Sequence, residues 1–351
     1  MAMTAGPVGL AVVGLGPIGL RHLAAIEKAE SCRIVAVVDP APAAVAQAAT
    51  RGLPHFTDVA AMFDTVTPDG VIVATPNALH VPLALDAVQR GIPVLVEKPV
   101  ADTVAAARKL ADAAESAGVP VLVGHHRRHN PVVQKAREIV RSGELGDLVA
   151  VSAVWLTHKP DDYFDTAWRR QQGGGPVLIN LIHDIDNLRF IVGEIAAVQA
   201  MSSRDRRGFA VEDTAALLLR FDSGVLATVT LSDTAVSPWS WELTAAESTS
   251  FDFPTTGQDC YFLAGTRGAL AVPSLRLWRQ DSAPDWCAPL PMEARGVATA
   301  DPIQRQLAHF AEVVRGRAKP LITARDATHT LAATLAVSEA AASGQEVRLP
   351  A

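Results

Sequence analysis

Val8-Gly9-Leu10-Ala11-Val12-Val13-Gly14-Leu15-Gly16-Pro17-Ile18-Gly19 is the stretch whose reading decides the fold. An apolar run of strand length leads straight into a glycine-rich turn, and residues 20–29 then read as a helix. The glycines permit a tight turn and a close backbone approach, and a helix N-terminus behind them offers N–H groups to a pyrophosphate. Alone this pattern is weak, because glycine turns are common. Here the next strand, 33–38, ends in Asp39, twenty residues after Gly19. That is the place for a carboxylate that accepts the hydroxyls of an adenosine ribose. Gly14, Gly16, Pro17, Ile18 and Asp39 therefore form a dinucleotide-binding set. Pro40-Ala41-Pro42 follows with no adjacent Arg or Lys to pair a 2′-phosphate, so the sequence favours NAD over NADP.

Working outward, the alternation of strand and helix continues. Residues 43–49 read as a helix, 56–59 as a short extended piece, and 69–74 as a strand running into Thr75-Pro76-Asn77 and His80. The carboxyl end of a strand suits contact with the cofactor ribose or nicotinamide, although Pro-Asn is also ordinary loop and N-cap chemistry. Helix 81–90 leads to Pro93-Val94-Leu95-Val96-Glu97-Lys98-Pro99, a short buried strand that stops at an acid, a base and a proline. A lysine there sits at the edge where open α/β sheets bind ligands, and partial burial would bring its pKa towards that of a general acid/base. A surface lysine paired with Glu97 is the plainer reading, and three residues do not separate the two. Helix 103–117 and strand 119–123 complete a doubly wound parallel sheet.

The length of 351 residues suggests two domains. Before residue 125 the only aromatics are Phe56 and Phe63, and that shift places a boundary near Gly124: residues 1–124 bind the nucleotide, and 125–351 bind substrate and other subunits. A formal net charge of −6 argues against nucleic acid as the main partner. No apolar run reaches membrane-spanning length, and no basic residue precedes the run 8–13, which reads as a strand and not as a signal segment. Three cysteines without metal spacing suit a reducing compartment, the cytoplasm.

Gly124-His125-His126-Arg127-Arg128-His129-Asn130-Pro131 tempts one to a metal site, but no closing set of ligands follows, and none is expected. Arg128 is expected to face substrate or a cofactor phosphate. After helix 131–142 the pattern turns to strands at 148–156, 196–202, 214–221, 225–232, 239–245, 259–264, 268–272 and 275–280. Asp-Ser-Gly and Thr-Arg-Gly turns join several of them, as in an antiparallel sheet. Trp239 and Trp241 would share one strand face, lining substrate or packing. Helices 303–315 and 325–342 close the chain. Gly173-Gly174-Gly175 precedes a nearly all-apolar helix, 176–192, on which Asn180, His183, Asp184 and Asn187 fall on one face. A polar stripe on a buried helix needs partners or faces a cavity.

These pieces in this order resemble the glucose–fructose oxidoreductase / inositol dehydrogenase / MocA family over essentially the whole chain. The matching residues are Gly14 to Gly19, Thr75-Pro76-Asn77 with His80, Glu97-Lys98-Pro99, Arg128 to Pro131, and Gly173-Gly174-Gly175 leading to His183-Asp184-Ile185-Asp186. The resemblance implies an α/β protein: an N-terminal Rossmann domain, then a C-terminal α/β domain whose large, mostly antiparallel open sheet mediates homodimers or homotetramers. It implies a nicotinamide cofactor and a sugar, sugar acid or cyclitol substrate. Lys98 and His183 match the catalytic positions. Glu97, Lys98, Trp168 and Arg169 are candidates for cofactor contact, and Arg128, Lys159, Tyr163, Asn180 and Asp184 for substrate contact. One departure matters. Many members carry an Asp four residues before this histidine, and here that position is Ile179. Asn180 can orient a hydroxyl but not act as a carboxylate, which leaves the proton work to Lys98 and His183. The activity implied is oxidation of a secondary alcohol, with hydride passing to nicotinamide. A redox-neutral enzyme that retains its NAD and a non-catalytic nucleotide-sensing regulator remain open on the same fold.

Overall fold

Every residue of β1 (Val8–Val13) is buried, as befits a strand in a parallel sheet covered on both faces. The computed structural model describes residues 6–247, 255–280 and 282–350. After β1 come α1 (Pro17–Glu27), β2 (Cys32–Val38), α2 (Pro42–Thr50), β3 (His55–Phe56), α3 (Val59–Thr65), β4 (Gly70–Val73), α4 (Asn77–Gln89), β5 (Val94–Val96), α5 (Val104–Ala117) and β6 (Val121–Val123). Local chemistry sets the helix ends. Pro17 opens α1 where a missing N–H is harmless, and the Asp58 carboxylate caps α3. The Thr103 hydroxyl caps α5, and Gly118 closes it in the left-handed region. The six strands pair in parallel in the order β3-β2-β1-β4-β5-β6.

The chain continues through α6 (Pro131–Arg141), β7 (Leu148–Leu156), α7 (Ile182–Val192), β8 (Ile195–Ser203), β9 (Thr214–Phe221), β10 (Leu226–Ser232), α8 (Trp241–Thr244), β11 (Tyr261–Gly265), β12 (Gly268–Val272), β13 (Arg276–Arg279), β14 (Met292–Ala294), α9 (Pro302–Val314), α10 (Ala324–Ser343) and β15 (Val347–Arg348). Nine strands form one sheet in the order β14-β13-β12-β11-β7-β10-β9-β8-β15. Its pairs are antiparallel except β7 with β10, which run parallel. Along β9 the residues alternate: Ala215, Leu217, Leu219 and Phe221 are buried, and Ala216, Leu218 and Arg220 are exposed.

Two compact units result. One holds the chain up to His129 together with Asp301–Leu331; the other holds Asn130–Ala300 and the chain from Ala332 onward. Residues 301–331 thus lie in the first unit, whereas composition along the chain had grouped 125–351 together. Packing explains the difference. The apolar stripe of α9, with Ile303, Leu307 and Phe310, is buried, and Gln304 Nε2 donates to the Ala25 carbonyl of α1 at 3.0 Å. The backbone also joins the sheet edge, where Val123 N–H donates to Ile322 O at 2.9 Å.

The strand expected at 239–245 is not formed. Ser240 is an N-cap, its hydroxyl accepting from Leu243 N–H at 3.3 Å, and α8 follows. The two tryptophans part company as a result. Trp241 is fully buried, stacked on Tyr261 with ring centres 5.7 Å apart, and its Nε1 donates to Glu247 at 2.6 Å. Trp239 is exposed. Trp241→Ala should therefore lower unfolding free energy by about 3–5 kcal/mol, and Trp239→Ala by no more than about 0.5 kcal/mol. Urea denaturation of both variants checks this.

Candidate active site

In a doubly wound sheet of this order, β1 and β4 are neighbours at the point where the strand order reverses, and ligands bind outside their carboxyl ends. Gly14 follows β1 with φ +93°, and a Cβ there would lie 2.5 Å from the Ala74 carbonyl oxygen after β4. The two loops touch, and only glycine allows it. A Cβ on Gly16 would meet nothing within 4 Å. Gly16 is also the N-cap of α1, with no side chain bonded to the helix end. Open space before an uncapped N-terminus suits a pyrophosphate. Beside it the Thr75 hydroxyl oxygen is buried without a hydrogen-bond partner among the described residues, and Ile18 is exposed. Asp39 Oδ2 accepts from Leu15 N–H at 2.7 Å and Oδ1 from Ala41 N–H at 2.8 Å. The backbone fixes the carboxylate and leaves each oxygen a further lone pair for a ribose hydroxyl. These residues fit a dinucleotide. Pro76 precedes α4 as its N-cap residue, and Asn77 is the first residue of that helix.

Lys98 sits just past β5, half-buried, and its peptide bond to Pro99 is cis. Glu97 is not simply its surface partner. Glu97 is buried, accepts a hydrogen bond from His22 Nε2 of α1 at 2.7 Å, and takes the Lys98 N–H on its other oxygen at 3.2 Å. Burial by itself would push the Glu97 carboxyl up. The His22 hydrogen bond and the pull of His22, His126 and Lys98 outweigh it and hold the group at about 2. Gly124 leaves room for this carboxylate, since a Cβ there would come within 2.9 Å of it. His22 was missed in the sequence, although one signal was there: it lies on the buried stripe of α1 with Gly19, Leu23 and Ile26.

His80 does not reach outward to a cofactor. Its ring is buried between two backbone carbonyls, Nδ1 to Pro99 O and Nε2 to Thr75 O, each at 2.8 Å. It ties the Thr75 loop to the Lys98-Pro99 turn. Burial lowers its pKa, against the two backbone hydrogen bonds. Arg128 is likewise turned inward: it is buried and ion-paired with Asp326 of α10, not facing substrate or phosphate. His129 packs against His309 with ring centres 5.2 Å apart, and burial drops its pKa to about 3. Among the described residues no group of three or more His, Cys, Asp or Glu side chains is placed to hold a metal ion.

In the second unit the helical stretch after the glycines begins as a π-type turn, Val177–Leu181, before α7. The wider turn breaks the 100° spacing assumed for the polar stripe, and the stripe divides. Asn180 Oδ1 accepts from Lys159 Nζ at 2.7 Å. Asp184 and Asn187 turn instead to the buried Tyr261 hydroxyl, which donates to Asp184 and accepts from Asn187 Nδ2 at 3.1 Å. Asp184 is therefore a core residue and not a substrate contact. His183 is buried on the first turn of α7. Gly175 is pinned: a Cβ would stand 2.3 Å from Glu212 Oε1, and that oxygen accepts from Val177 N–H at 2.9 Å. Arg169 stacks its guanidinium 3.9 Å from the centre of the Tyr163 ring, with Lys159 Nζ 4.7 Å from the same ring. Trp168 is exposed. Glu212, Arg207 and Asp233 join this surround from loops that no local motif marks.

Residues 8–125 match the model of the oxidoreductase family with an NAD-binding Rossmann fold, and residues 133–271 match the GFO/IDH/MocA C-terminal domain. The chain belongs to the GFO/IDH/MocA oxidoreductase family. It is 34% identical over 186 residues to the rhizopine catabolism protein MocA of Rhizobium meliloti, a match that covers 53% of this chain and spans only 57% of that relative's length. D-apiose dehydrogenase of Paraburkholderia graminis is 29% identical, with 97% of this chain and 89% of the relative covered. Among solved structures, an oxidoreductase from Agrobacterium radiobacter in complex with NAD+, L-tartaric acid and magnesium superposes with a TM-score of 0.81 over 97% of this chain and 98% of its own. At 20% identity that likeness speaks for the fold alone.

The first unit of this GFO/IDH/MocA protein is thus an NAD-binding Rossmann fold, and the Asp39 carboxylate is held by backbone N–H groups just after β2, where a negative charge would disfavour the 2′-phosphate of NADP. Pro40 beside Asp39 offers no cation. Fluorescence titration should show NAD binding at least about tenfold tighter than NADP, and Asp39→Ser combined with Pro40→Arg should narrow the gap. Equal binding by the unaltered protein would show that Asp39 does not set the preference.

Proposed function

We propose that this chain is a dehydrogenase that oxidises a secondary alcohol of a sugar, sugar acid or cyclitol with NAD, and that Lys98 and His183 handle the proton. NAD, when bound, supplies the hydride acceptor. Gly14, Gly16, Pro17, Ile18, Asp39, Thr75, Pro76 and Asn77 would hold it, with Glu97, Lys98, Trp168 and Arg169 as further contacts. The reading is supported above all by the mooring of Lys98. Its backbone is fastened by Glu97, which His22 fastens in turn, and the adjoining Pro99 carbonyl is held by His80. A side chain whose base is fixed on a rigid strand end can keep its amino group within reach of a substrate hydroxyl and, in the neutral amine form, accept the hydroxyl proton. Relatives named for a rhizopine pathway and for D-apiose suit a polyol-type substrate. Asn180 and Tyr163 position that substrate in the second unit.

Lys98→Met should lower kcat by roughly 10² to 10⁴, the usual loss for a general acid/base, with NAD affinity little changed. His183→Asn should also lower kcat. If the two act on one proton path, the double variant loses less than the product of the single losses. An NAD-coupled screen of sugars, sugar acids and cyclitols supplies the substrate for these assays. A folded Lys98→Met protein with normal turnover removes the lysine from the chemistry.

A second copy of the chain would cover the outer face of the nine-stranded sheet. Leu218, Leu226 and Phe262 stand exposed there, and an apolar groove of about 600 Å³ crosses the face. A contiguous apolar surface of this kind is typical of an interaction face. Light scattering should give the mass of a dimer or tetramer, and Leu218→Asp with Phe262→Asp should reduce it. A monomer at micromolar concentration would refute this.

A further inference from the structure

Lys159 is an ammonium held out of water. The residue is 8% exposed, and Nζ lies 4.7 Å from the centre of the Tyr163 ring and 5.7 Å from that of Trp155. It donates to Asn180 Oδ1 at 2.7 Å. Asp233 stands 3.7 Å from Nζ, but it is shared, because Arg207 Nε binds the same carboxylate at 3.0 Å. Arg207 also donates to the backbone carbonyls of Lys159 and Asp233, each at 2.7 Å. Two cations therefore draw on one buried carboxylate.

The other acids that face this cluster have partners of their own. Glu242 accepts from Trp155 Nε1 at 2.7 Å and Glu212 from Val177 N–H at 2.9 Å. Asp213 accepts from the backbone N–H groups of Arg206 and Arg207 at 3.0 Å. Asp161, 3.6 Å from Arg207, is fully solvent-exposed.

This arrangement sets the polarity of Asn180. An ammonium has donors only, so the amide oxygen is turned to Lys159 and the NH2 group is turned away from it. Of the three ammonium hydrogens, Asn180 takes one and Asp233 draws a second. The pair thus offers chiefly N–H donors, from the ammonium and from the Asn180 NH2 group, and its single acceptor atom, Asn180 Oδ1, is already turned to Lys159. A polyol hydroxyl both donates and accepts. A carboxylate only accepts, and it carries the charge that offsets a desolvated ammonium.

We propose that Lys159 and Asn180 bind a carboxylate group of the substrate, which makes the substrate a polyhydroxy acid of the aldonate or uronate type and not a neutral sugar or cyclitol. This rests on the redox reading above and narrows its substrate class; Asn180 stands three residues before His183. Burial pulls the Lys159 pKa down to about 8, against Asp233 and Glu242 and with help from Arg207. The protonated form binds the anion, so affinity falls as pH rises through that value.

The test is calorimetric titration of D-gluconate and of myo-inositol into the NAD-loaded protein. At about pH 7 gluconate should bind roughly tenfold or more tightly than myo-inositol, as expected for charge-assisted hydrogen bonds. Lys159→Met should cost at least about tenfold in gluconate affinity, and Lys159→Arg, also a pure donor, should retain most of it. Asn180→Asp, which replaces the donor by an anion, should weaken gluconate as well, and it decides the matter should Lys159→Met fail to fold. Raising the pH to about 9.5 should weaken gluconate for the unaltered protein and not for Lys159→Met. Equal binding of the two probes, or gluconate affinity untouched in both Lys159→Met and Asn180→Asp, overturns the proposal. Gluconate binding in the expected pattern, with no NAD reduction by any tested polyol, supports the carboxylate site and refutes the redox reading instead.

Discussion

A parallel strand can reach its neighbour only by a crossover, and that constraint organises the first unit. Each of the six parallel strands ends on the same edge of the sheet, so the loops after β1, β2, β4 and β5 are gathered there by topology alone. Gly14, Asp39, Thr75 and Lys98 come from four separate segments of the chain. None needs a special interaction to arrive at that edge. What needs interactions is their orientation, and the structure spends buried polar groups on it: His22 on Glu97, His80 on Thr75 and Pro99, and backbone N–H groups on Asp39.

The second unit works on a different principle. Its sheet is mostly antiparallel, with one face buried and an outer face that keeps exposed apolar side chains. The polar residues against its inner side come from loops and from the stretch that opens with a π-type turn. There an Arg207–Asp233 pair staples two backbone segments, and Lys159 is packed among aromatic rings. Buried charge of this kind is costly unless every donor and acceptor is used. The accounting around Lys159 is therefore informative about what the site binds.

Much of the fold was legible because its signals are local. The run 8–13 is apolar throughout, Thr103 and Asn130 announce helix starts, and strands such as 148–156, 214–221 and 268–272 were found at their observed bounds. Where expectation and structure differ, a local rule was overridden by a partner far away in sequence. Trp239 and Trp241 alternate as a strand would, but Ser240 caps a helical turn and Tyr261 takes the buried ring. The periodicity of 176–192 assumed a regular helix, and one π-type turn moved Asn180 to Lys159 and left Asp184 to Tyr261.

The sequence by itself determined the class of this protein: a glycine turn between strand and helix, an acid twenty residues later, and a lysine at a strand end in the order the GFO/IDH/MocA family uses. These are properties of residue type and spacing, which backbone geometry and burial enforce wherever such a pattern occurs. Only the tertiary structure decided which polar residues are free to act. Arg128, His80 and Asp184 look like site residues on paper, yet each is itself buried and taken up by a partner within the fold, Asp326, two backbone carbonyls and Tyr261. His22 looks like a helix residue and supports the Lys98 turn. The reason is that a buried hydrogen bond is worth most where water is excluded, and exclusion depends on segments that the sequence keeps far apart.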